Sequence, residues 1–175
     1  MLKKVLTALA IVILVFVLVG AVLSREYRVS RAIVVKAEPA RIHALVADLK
    51  RWDEWTPWKK RDATIVTTIG TPSSGLGANQ TWSGKDGTGW LKFTKSDVAT
   101  GIEFDMALNN GGEDMPAQGS VHYAPAAEGT QVAWSMSGIL DVPVIGGYMA
   151  SMSDMMFGGM LESGLDKLKS RAEAP

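Results

Sequence analysis

The chain has 175 residues, no cysteine, and 18 basic against 18 acidic residues. Its length suits one domain with a sizeable core. The lack of cysteine excludes a disulfide framework, a thiolate nucleophile and a cysteine-ligated metal. The balanced charge leaves no basic excess to hold a phosphate backbone, so we expect no nucleic-acid partner.

The amino-terminal region contains an uncharged run of 20 residues, from 5 to 24. As a helix it would span about 30 Å, the thickness of a bilayer core. A cleaved secretory signal is the alternative, but its apolar part usually has only roughly 7–15 residues. We therefore predict an uncleaved N-terminal membrane anchor (signal-anchor) over residues 1–25 and a folded domain over residues 26–175.

Basic residues flank the predicted anchor on both sides, so their count does not decide the orientation. Lys3 and Lys4 precede it, and Arg25 and Arg28 follow it. A very short basic amino terminus favours a cytoplasmic start. We therefore predict a single-pass membrane protein whose domain is extracytoplasmic, in the periplasm. Residues 25–175 carry 16 basic and 18 acidic side chains, a net charge of −2.

The domain begins with a predicted strand followed by a helical region. Residues 26–37 are β-branched and partly alternating, as in a strand. Pro39 suits the first position of a helix. Apolar residues then recur at spacings of three and four, which predicts an amphipathic helix: Ile42, Leu45, Val46 and Leu49. We expect the charged stretch KRWDEW to continue this helix and Pro57 to end it.

Residues 63–139 consist of short predicted strands separated by turns. Asp86-Gly87 and Asn110-Gly111 are hairpin signals. Two strands alternate clearly between apolar and polar residues. The apolar positions are Ile102, Phe104, Met106 and Leu108 in one strand and Val132, Trp134 and Met136 in the other. One buried and one solvated face per strand is the pattern of an antiparallel sheet.

The last segment, residues 143–172, is predicted to be a single helix. Met149, Met152, Met156 and Met160 are spaced by three or four residues and form one stripe. Glycines at 158, 159 and 164 interrupt the segment, which indicates a kink or a close packing contact.

The element order is therefore one strand, two short helices, six strands and a long helix. This order predicts an α+β fold in which a curved antiparallel sheet of about seven strands wraps around the C-terminal helix. Such a helix-grip leaves a cavity between its two layers. The predicted N-terminal transmembrane helix lies outside this domain.

The residues also resemble a known superfamily. The longest matching stretch is RAIVVKAEPARIHALVADLKRWDEWTPW, and shorter ones are SGLGANQTWSG, TQVAWSMSG and SGLDKLKSRAE. They resemble the SRPBCC superfamily of START/Bet v1-like helix-grip proteins, in the branch labelled polyketide cyclase/dehydrase and lipid transport. The resemblance covers residues 27–173, and many relatives also carry an N-terminal membrane segment. The superfamily includes lipid carriers, cyclases, hydroxylase domains and chaperone co-regulators, so the fold does not determine the function.

Three of the six tryptophans, Trp52, Trp55 and Trp58, lie within seven positions. The resemblance implies that Trp55 and Trp58 pack into the wide end of the grip and shape the cavity mouth. Two alternatives remain at this point. All three rings could simply close the core, or they could anchor the domain at the membrane surface.

No catalytic constellation is evident. His43 and His122 stand apart and give no metal-ligand spacing. Glu103 and Asp105 share the polar face of a predicted strand, which indicates a solvated surface. The sequence contains no nucleophile elbow of the type G-x-S-x-G. We therefore predict no metal and no cofactor, and an enzymatic role is left undecided.

The apolar inner faces instead predict a pliable binding pocket, because methionine adapts to irregular shapes. The predicted ligand-binding residues are Trp55, Trp82, Leu91, Phe93, Phe104, Met106, Trp134, Met136, Met149, Met152, Met156 and Met160. Asn79, Gln80 and Tyr123 are candidates for its few polar contacts. The alternative is a filled core in which methionine closes gaps.

Three functions fit these patterns. The first is a membrane-tethered domain that binds a lipid-like or polyketide-like hydrophobic molecule without catalysis. The second is a cyclase/dehydrase-type enzyme acting on an apolar substrate. The third is an interaction or chaperone-like module with a filled core.

Overall fold

The computed structural model describes residues 1–109 and 111–174. The helices are α1 (Leu2–Val22), α2 (Pro39–Val46), a 3₁₀ helix (Leu49–Glu54), α3 (Trp58–Arg61), α4 (Ile145–Ser151) and α5 (Ser153–Glu173). The strands are β1 (Glu26–Val35), β2 (Val66–Ile69), β3 (Asn79–Gly84), β4 (Gly87–Asp97), β5 (Gly101–Asn109), β6 (Met115–Ala126) and β7 (Gly129–Ile139).

The seven strands form one antiparallel sheet in the order β1-β7-β6-β5-β4-β3-β2. Helix α5 packs mainly against β1 and also contacts β7. The α+β helix-grip predicted from the sequence is confirmed, with an apolar N-terminal helix added to it. The hairpin predicted at Asp86-Gly87 joins β3 to β4, where Gly84 pairs with Gly87. The second predicted turn includes Asn110, which lies outside the described residues.

The predicted strand faces are also confirmed. Phe104 on β5 and Trp134 on β7 are buried. Glu103 faces the other side of β5, where its carboxylate pairs with Lys95 at 3.3 Å. This ion pair and a contact from His122 hold the pKa of Glu103 below its usual value. The core therefore lies between the sheet and the helices, on one face of the sheet.

The predicted extension of α2 is wrong. Helix α2 ends at Val46, and a separate 3₁₀ helix follows. Asp48 interrupts the helix because its carboxylate accepts a hydrogen bond from the Lys50 backbone N–H at 3.0 Å. The Leu49 backbone N–H donates to the carbonyl of Ser73 at 2.9 Å instead of continuing the helix. These contacts tie the helical region to the loop before β3.

The predicted long C-terminal helix is confirmed as α5, but the residues before it form a separate helix, α4, which meets α5 at Met152. In α5 the buried positions are Ser153, Gly158, Leu161, Gly164, Leu165, Leu168 and Ala172. The helix therefore faces the sheet with a stripe of leucine and glycine, not with the methionine stripe.

Two of the glycines in α5 allow this close approach. A β-carbon at Gly158 would lie 2.1 Å from Nη2 of Arg31, and one at Gly164 would lie 2.4 Å from the ring of Trp134. Among the described residues, nothing lies within 4 Å of a β-carbon built at Gly159. The expected close packing contact is thus found at two of the three interrupting glycines.

Arg31 links β1 to α5 at this contact. Its guanidinium donates to both carboxylate oxygens of Asp154, at 2.7 and 2.9 Å, and to Glu162 at 2.5 Å. These hydrogen bonds raise the pKa of Arg31 and hold the pKa of Asp154 below its usual value. A bidentate pair of this kind fixes geometry as well as charge.

Helix α1 packs against α4. The rings of Phe16 and Tyr148 stack with centroids 4.6 Å apart, and the Tyr148 hydroxyl donates to the Phe16 carbonyl at 2.9 Å. Gly20 is the buried residue of α1, and a β-carbon there would lie 2.3 Å from the Val144 carbonyl oxygen. In the part of the chain that the structure describes, α1 alone is long and apolar enough to cross a membrane.

Candidate ligand-binding cavity

A cavity of about 260 Å³ lies between the sheet and the amino-terminal half of α5. Its inner wall consists of buried residues, among them Trp52, Leu91 and Phe104. Its outer part is formed by residues at one end of the sheet: Tyr27, Gly84, Asp86, Gly87, Leu108, Met115, Pro116, Ile139 and Leu140. The cavity therefore runs from the core towards the end of the sheet at which β1 begins.

Two aromatic side chains in the wall lie over glycines of neighbouring strands. Trp82 on β3 pairs with Gly89, where a β-carbon would lie 2.2 Å from the indole. Phe104 on β5 pairs with Gly119, where a β-carbon would lie 2.1 Å from the ring. The missing side chains leave room for large rings to lie flat along the sheet, which leaves open space above them.

Half of the predicted site residues line this cavity. They are Trp82, Leu91, Phe104, Met106, Met136 and Met160. Five of the six are strand residues, and strand alternation alone placed them on the inner face. Their role in binding a ligand remains a prediction.

Three further predicted residues, Trp55, Phe93 and Trp134, lie in the packed core and not in the cavity wall. The rings of Trp55 and Trp134 contact each other edge to face, with centroids 5.2 Å apart. Phe93 is covered by Trp52, at a centroid distance of 5.7 Å. The residues do face inward as predicted, but the 3₁₀ helix fills the space in front of them.

The remaining three, Met149, Met152 and Met156, also lie outside the cavity wall. Met152 and Met156 are 49% and 44% exposed. The break between α4 and α5 and the close contacts of the glycines turn this stripe away from the sheet. Met160 lies about two helical turns after Met152, and at that position of α5 it lines the cavity.

The three clustered tryptophans lie in two environments: Trp55 is in the packed core, and Trp52 and Trp58 line the cavity. Trp55 is fully buried, and its indole N–H donates to the Leu45 carbonyl at 3.2 Å. Trp52 is buried and donates to the Val46 carbonyl at 2.8 Å, while one side of it lines the cavity together with Trp58. The burial of Trp52 and Trp55 contradicts an anchoring role at the membrane surface for these two rings.

Sequence reasoning missed several wall residues: Tyr27, Trp52, Ile65, Met115, Ile139, Leu140 and Phe157. Tyr27 could have been found, because it shares the inner face of β1 with the buried Val29. Phe157 could have been found from its spacing of four from the buried Leu161. Trp52 lies inside the 3₁₀ helix, which the sequence did not predict, and the others lie at or next to strand ends, where periodicity does not indicate the direction of a side chain.

One polar side chain, that of Gln80, lies in the inner part of the cavity. Gln80 is buried on β3 opposite Leu91, and within the described residues its amide makes no hydrogen bond. The other two candidates lie elsewhere. The Asn79 amide donates to the Gly77 carbonyl at 3.1 Å, and the Tyr123 hydroxyl lies 3.5 Å from Nδ1 of His43.

The titratable groups of the cavity lie at its rim. Asp62 is buried there, and its Oδ1 accepts hydrogen bonds from the hydroxyl and the backbone N–H of Thr64, at 2.6 and 2.9 Å. These bonds hold the pKa of Asp62 below its usual value, so the group stays ionised near neutral pH. His43 lies outside the cavity, and burial lowers its pKa.

No group of three or more His, Cys, Asp or Glu side chains is placed to hold a metal ion in residues 1–109 and 111–174. The cavity wall combines apolar side chains with one buried amide and a few charged rim residues. This arrangement can hold an apolar molecule and orient it by one or two polar contacts.

Comparisons with known proteins agree with the fold. A family model described as polyketide cyclase / dehydrase and lipid transport matches residues 26–173. No curated protein matches the sequence of the chain.

Solved structures share the fold at low sequence identity. A protein from Rhizobium leguminosarum is similar with a TM-score of 0.63 at 14% identity, covering 85% of this chain and 95% of its own. A protein from Chromobacterium violaceum has a TM-score of 0.59 at 15% identity, covering 85% and 98%. Ara h 8.0201 has a TM-score of 0.55 at 13% identity, covering 84% and 97%.

Proposed function

We propose a binding function from one premise: the chain belongs to the polyketide cyclase/dehydrase and lipid transport family. In this proposal the domain holds a hydrophobic, lipid-like or polyketide-like small molecule between the sheet and α5, without catalysing a reaction on it. The first helix tethers the domain to a membrane.

The observation that carries the proposal is the cavity itself. Its volume of about 260 Å³ is close to the lower end of the range of roughly 300–1,000 Å³ for small-molecule sites. Its inner wall is made of indole, phenyl, leucine and methionine side chains. A filled core, which the interaction-module alternative requires, would leave no such space between the layers.

Gln80 supplies the polar contact in this proposal. Its amide lines the cavity, so a ligand held there can form hydrogen bonds with it. A carbonyl, hydroxyl or carboxyl group on the ligand could serve, since an amide both donates and accepts. The site thus favours an apolar molecule that carries at least one oxygen function.

Packing between α1 and α4 supports a retained membrane tether. Gly20 lets α4 approach α1, and a β-carbon at Gly147 would lie 2.4 Å from Cβ of Leu23. A segment that is cut off after export has no need of such a fitted contact with the mature domain. The remaining apolar side chains of α1 are largely exposed, as expected of a helix surrounded by lipid.

Filling the cavity should abolish binding. Met136 lies in the wall, and Met136→Trp adds volume there at an expected cost of about 1–3 kcal/mol of stability. We expect mass spectrometry of molecules extracted from the purified full-length protein to detect a ligand in the wild type and little or none in this variant. Val98→Trp, on an exposed site outside the cavity, is the matched control and should retain the ligand. A ligand-free wild type, or equal retention in both variants, would contradict the proposed site.

The tether makes a separate prediction. N-terminal sequencing of the mature protein should start at or near Met1, because the anchor is not removed. A sequence that starts near Arg25 would contradict the tether and leave the binding site untouched. Protease treatment of spheroplasts should digest the domain if it is extracytoplasmic, and protection of the domain would reverse the predicted orientation.

A further inference from the structure

The end of the domain that carries the cavity mouth is also the end from which α1 leaves. Strand β1 starts at Glu26, four residues after α1 ends, and Glu26 pairs with Ile139 at the end of β7. The β3–β4 turn and the start of β6 lie at this same end, and both contribute to the outer cavity wall. If α1 is in a bilayer, the mouth faces that bilayer.

The segment from α4 into the first turn of α5 exposes several large apolar side chains. The lipid-facing surface, as we name it, consists of Ile145, Met152, Met155 and Met156, which are between 44% and 72% exposed. Ile139 precedes this segment by six residues; it is also exposed, and it lines the cavity. Several large apolar side chains exposed on one short segment indicate an interaction site.

The charges around this surface are paired. Residues 142–153 contain no charged side chain, and Asp141 and Asp154 flank them. Asp141 forms an ion pair with Arg25, and Asp154 forms one with Arg31. Both carboxylates are therefore balanced by arginines, which lowers the cost of bringing this segment to a membrane interface.

The contact between α1 and α4 indicates how deep α4 would lie in a bilayer that surrounds α1. Phe16 lies six residues before the end of α1, which corresponds to roughly 9 Å along the helix axis. Tyr148 reaches back to this level through its stacked ring and its hydrogen bond to the Phe16 carbonyl. Amphipathic segments at a membrane interface bury their apolar face by about 5–10 Å, so α4 lies at the depth of such a segment.

We propose that α4 and the first turn of α5 are inserted in the membrane interface and that the cavity takes its ligand directly from the adjacent leaflet. The ligand is then a bilayer-resident amphiphile with an apolar chain, not a molecule that reaches the site through water. This inference rests on the proposed binding function and adds the source of the ligand and the route by which it enters.

The insertion can be tested directly because the chain contains no cysteine. Single cysteines are introduced as Met155→Cys in the lipid-facing surface and as Val98→Cys in the exposed β4–β5 turn at the opposite end of the domain. The full-length variants are nitroxide-labelled and reconstituted in phosphatidylcholine–phosphatidylglycerol vesicles. We expect the label at 155 to be accessible to oxygen and shielded from a water-soluble nickel chelate, and the label at 98 to show the reverse. Equal access of the nickel chelate to both labels would overturn the insertion.

Ligand entry is tested in the same vesicles with cis-parinaric acid, a fluorescent fatty acid that partitions into the bilayer. Energy transfer from the tryptophans reports its arrival in the cavity. The double variant Ile145→Glu/Met155→Glu places charges in the lipid-facing surface, and Val98→Glu is the matched control. We expect the initial rate of loading to fall by about tenfold or more in the double variant, because charge opposes burial in the interface. The final amplitude should stay that of the wild type.

The two readouts separate the two proposals. A wild type that shows no energy transfer even at equilibrium refutes the proposed binding of a fatty-acid-like ligand, and the leaflet route falls with it. Normal amplitude with an unchanged rate in the double variant refutes the leaflet route and leaves the binding function standing.

Discussion

Replacing Trp55 by alanine is expected to destabilise the domain by about 3–5 kcal/mol, the usual cost of truncating a large buried aromatic residue. Trp55 is fully buried and lies between Trp52 and Trp134, at centroid distances of 5.5 and 5.2 Å. Its indole N–H also satisfies the carbonyl of Leu45, which would be left without that partner. Denaturant melts of the variant and the wild type, with unchanged m-values, measure the loss.

A second tryptophan provides the matched control for this experiment. Trp90 on β4 is 41% exposed, so Trp90→Ala removes the same side chain from a half-exposed site. We expect it to cost no more than about 1 kcal/mol, as for most changes near a surface. Equal midpoints for Trp55→Ala and the wild type would show that the Trp55 ring does not support the core.

The sheet could be predicted well because successive side chains of a strand point to opposite faces, so each residue has only two possible directions. Once Glu103 and Asp105 are assigned to water, Phe104 and Met106 must point to the core. The hairpin at Asp86-Gly87 then sets the neighbouring register. The five predicted strand residues that line the cavity share the inner face of the sheet that this alternation indicates.

The helical part of the site could not be predicted in the same way. A hydrophobic stripe indicates which residues share a face, but several faces of α5 carry apolar residues. Helix α5 turns its leucines to the sheet because Gly158 and Gly164 allow the backbone to come close there. Methionine counts as apolar in any periodicity, so Met152 and Met156 could not be told apart from core residues by sequence. Their exposure makes sense only once α4 is seen to lie against α1.

The division of the tryptophans is a further case that sequence could not resolve. Trp52, Trp55 and Trp58 are three residues apart, which would align them on one face of a continuous helix. They do not share a continuous helix: Trp52 lies in the 3₁₀ helix, Trp55 is its C-cap, and Trp58 begins α3. The hydrogen bond from Leu49 to Ser73, which accompanies the start of the 3₁₀ helix, joins residues 24 positions apart and leaves no local signal.

The glycines of α5 offer the sharpest test of how the helix is seated. In a helix, replacing glycine by leucine gains about 0.5–1 kcal/mol when the side chain meets nothing. Gly159 is exposed and has open space around it within the described structure, so Gly159→Leu should raise the free energy of unfolding by that amount. Gly164 lies against the buried ring of Trp134. A β-carbon added at Gly164 would lie 2.4 Å from that ring and 3.4 Å from Cδ of Pro57. Gly164→Leu should therefore lower the free energy of unfolding by about 3 kcal/mol, the upper end for overpacked cores, since a buried indole cannot move aside. Urea melts of Gly159→Leu, Gly164→Leu and the wild type measure both changes in the free energy of unfolding, and the two variants carry the same substitution on the same helix. If both variants are stabilised, α5 does not pack on Trp134 through Gly164, and the cavity between α5 and the sheet must have a different shape.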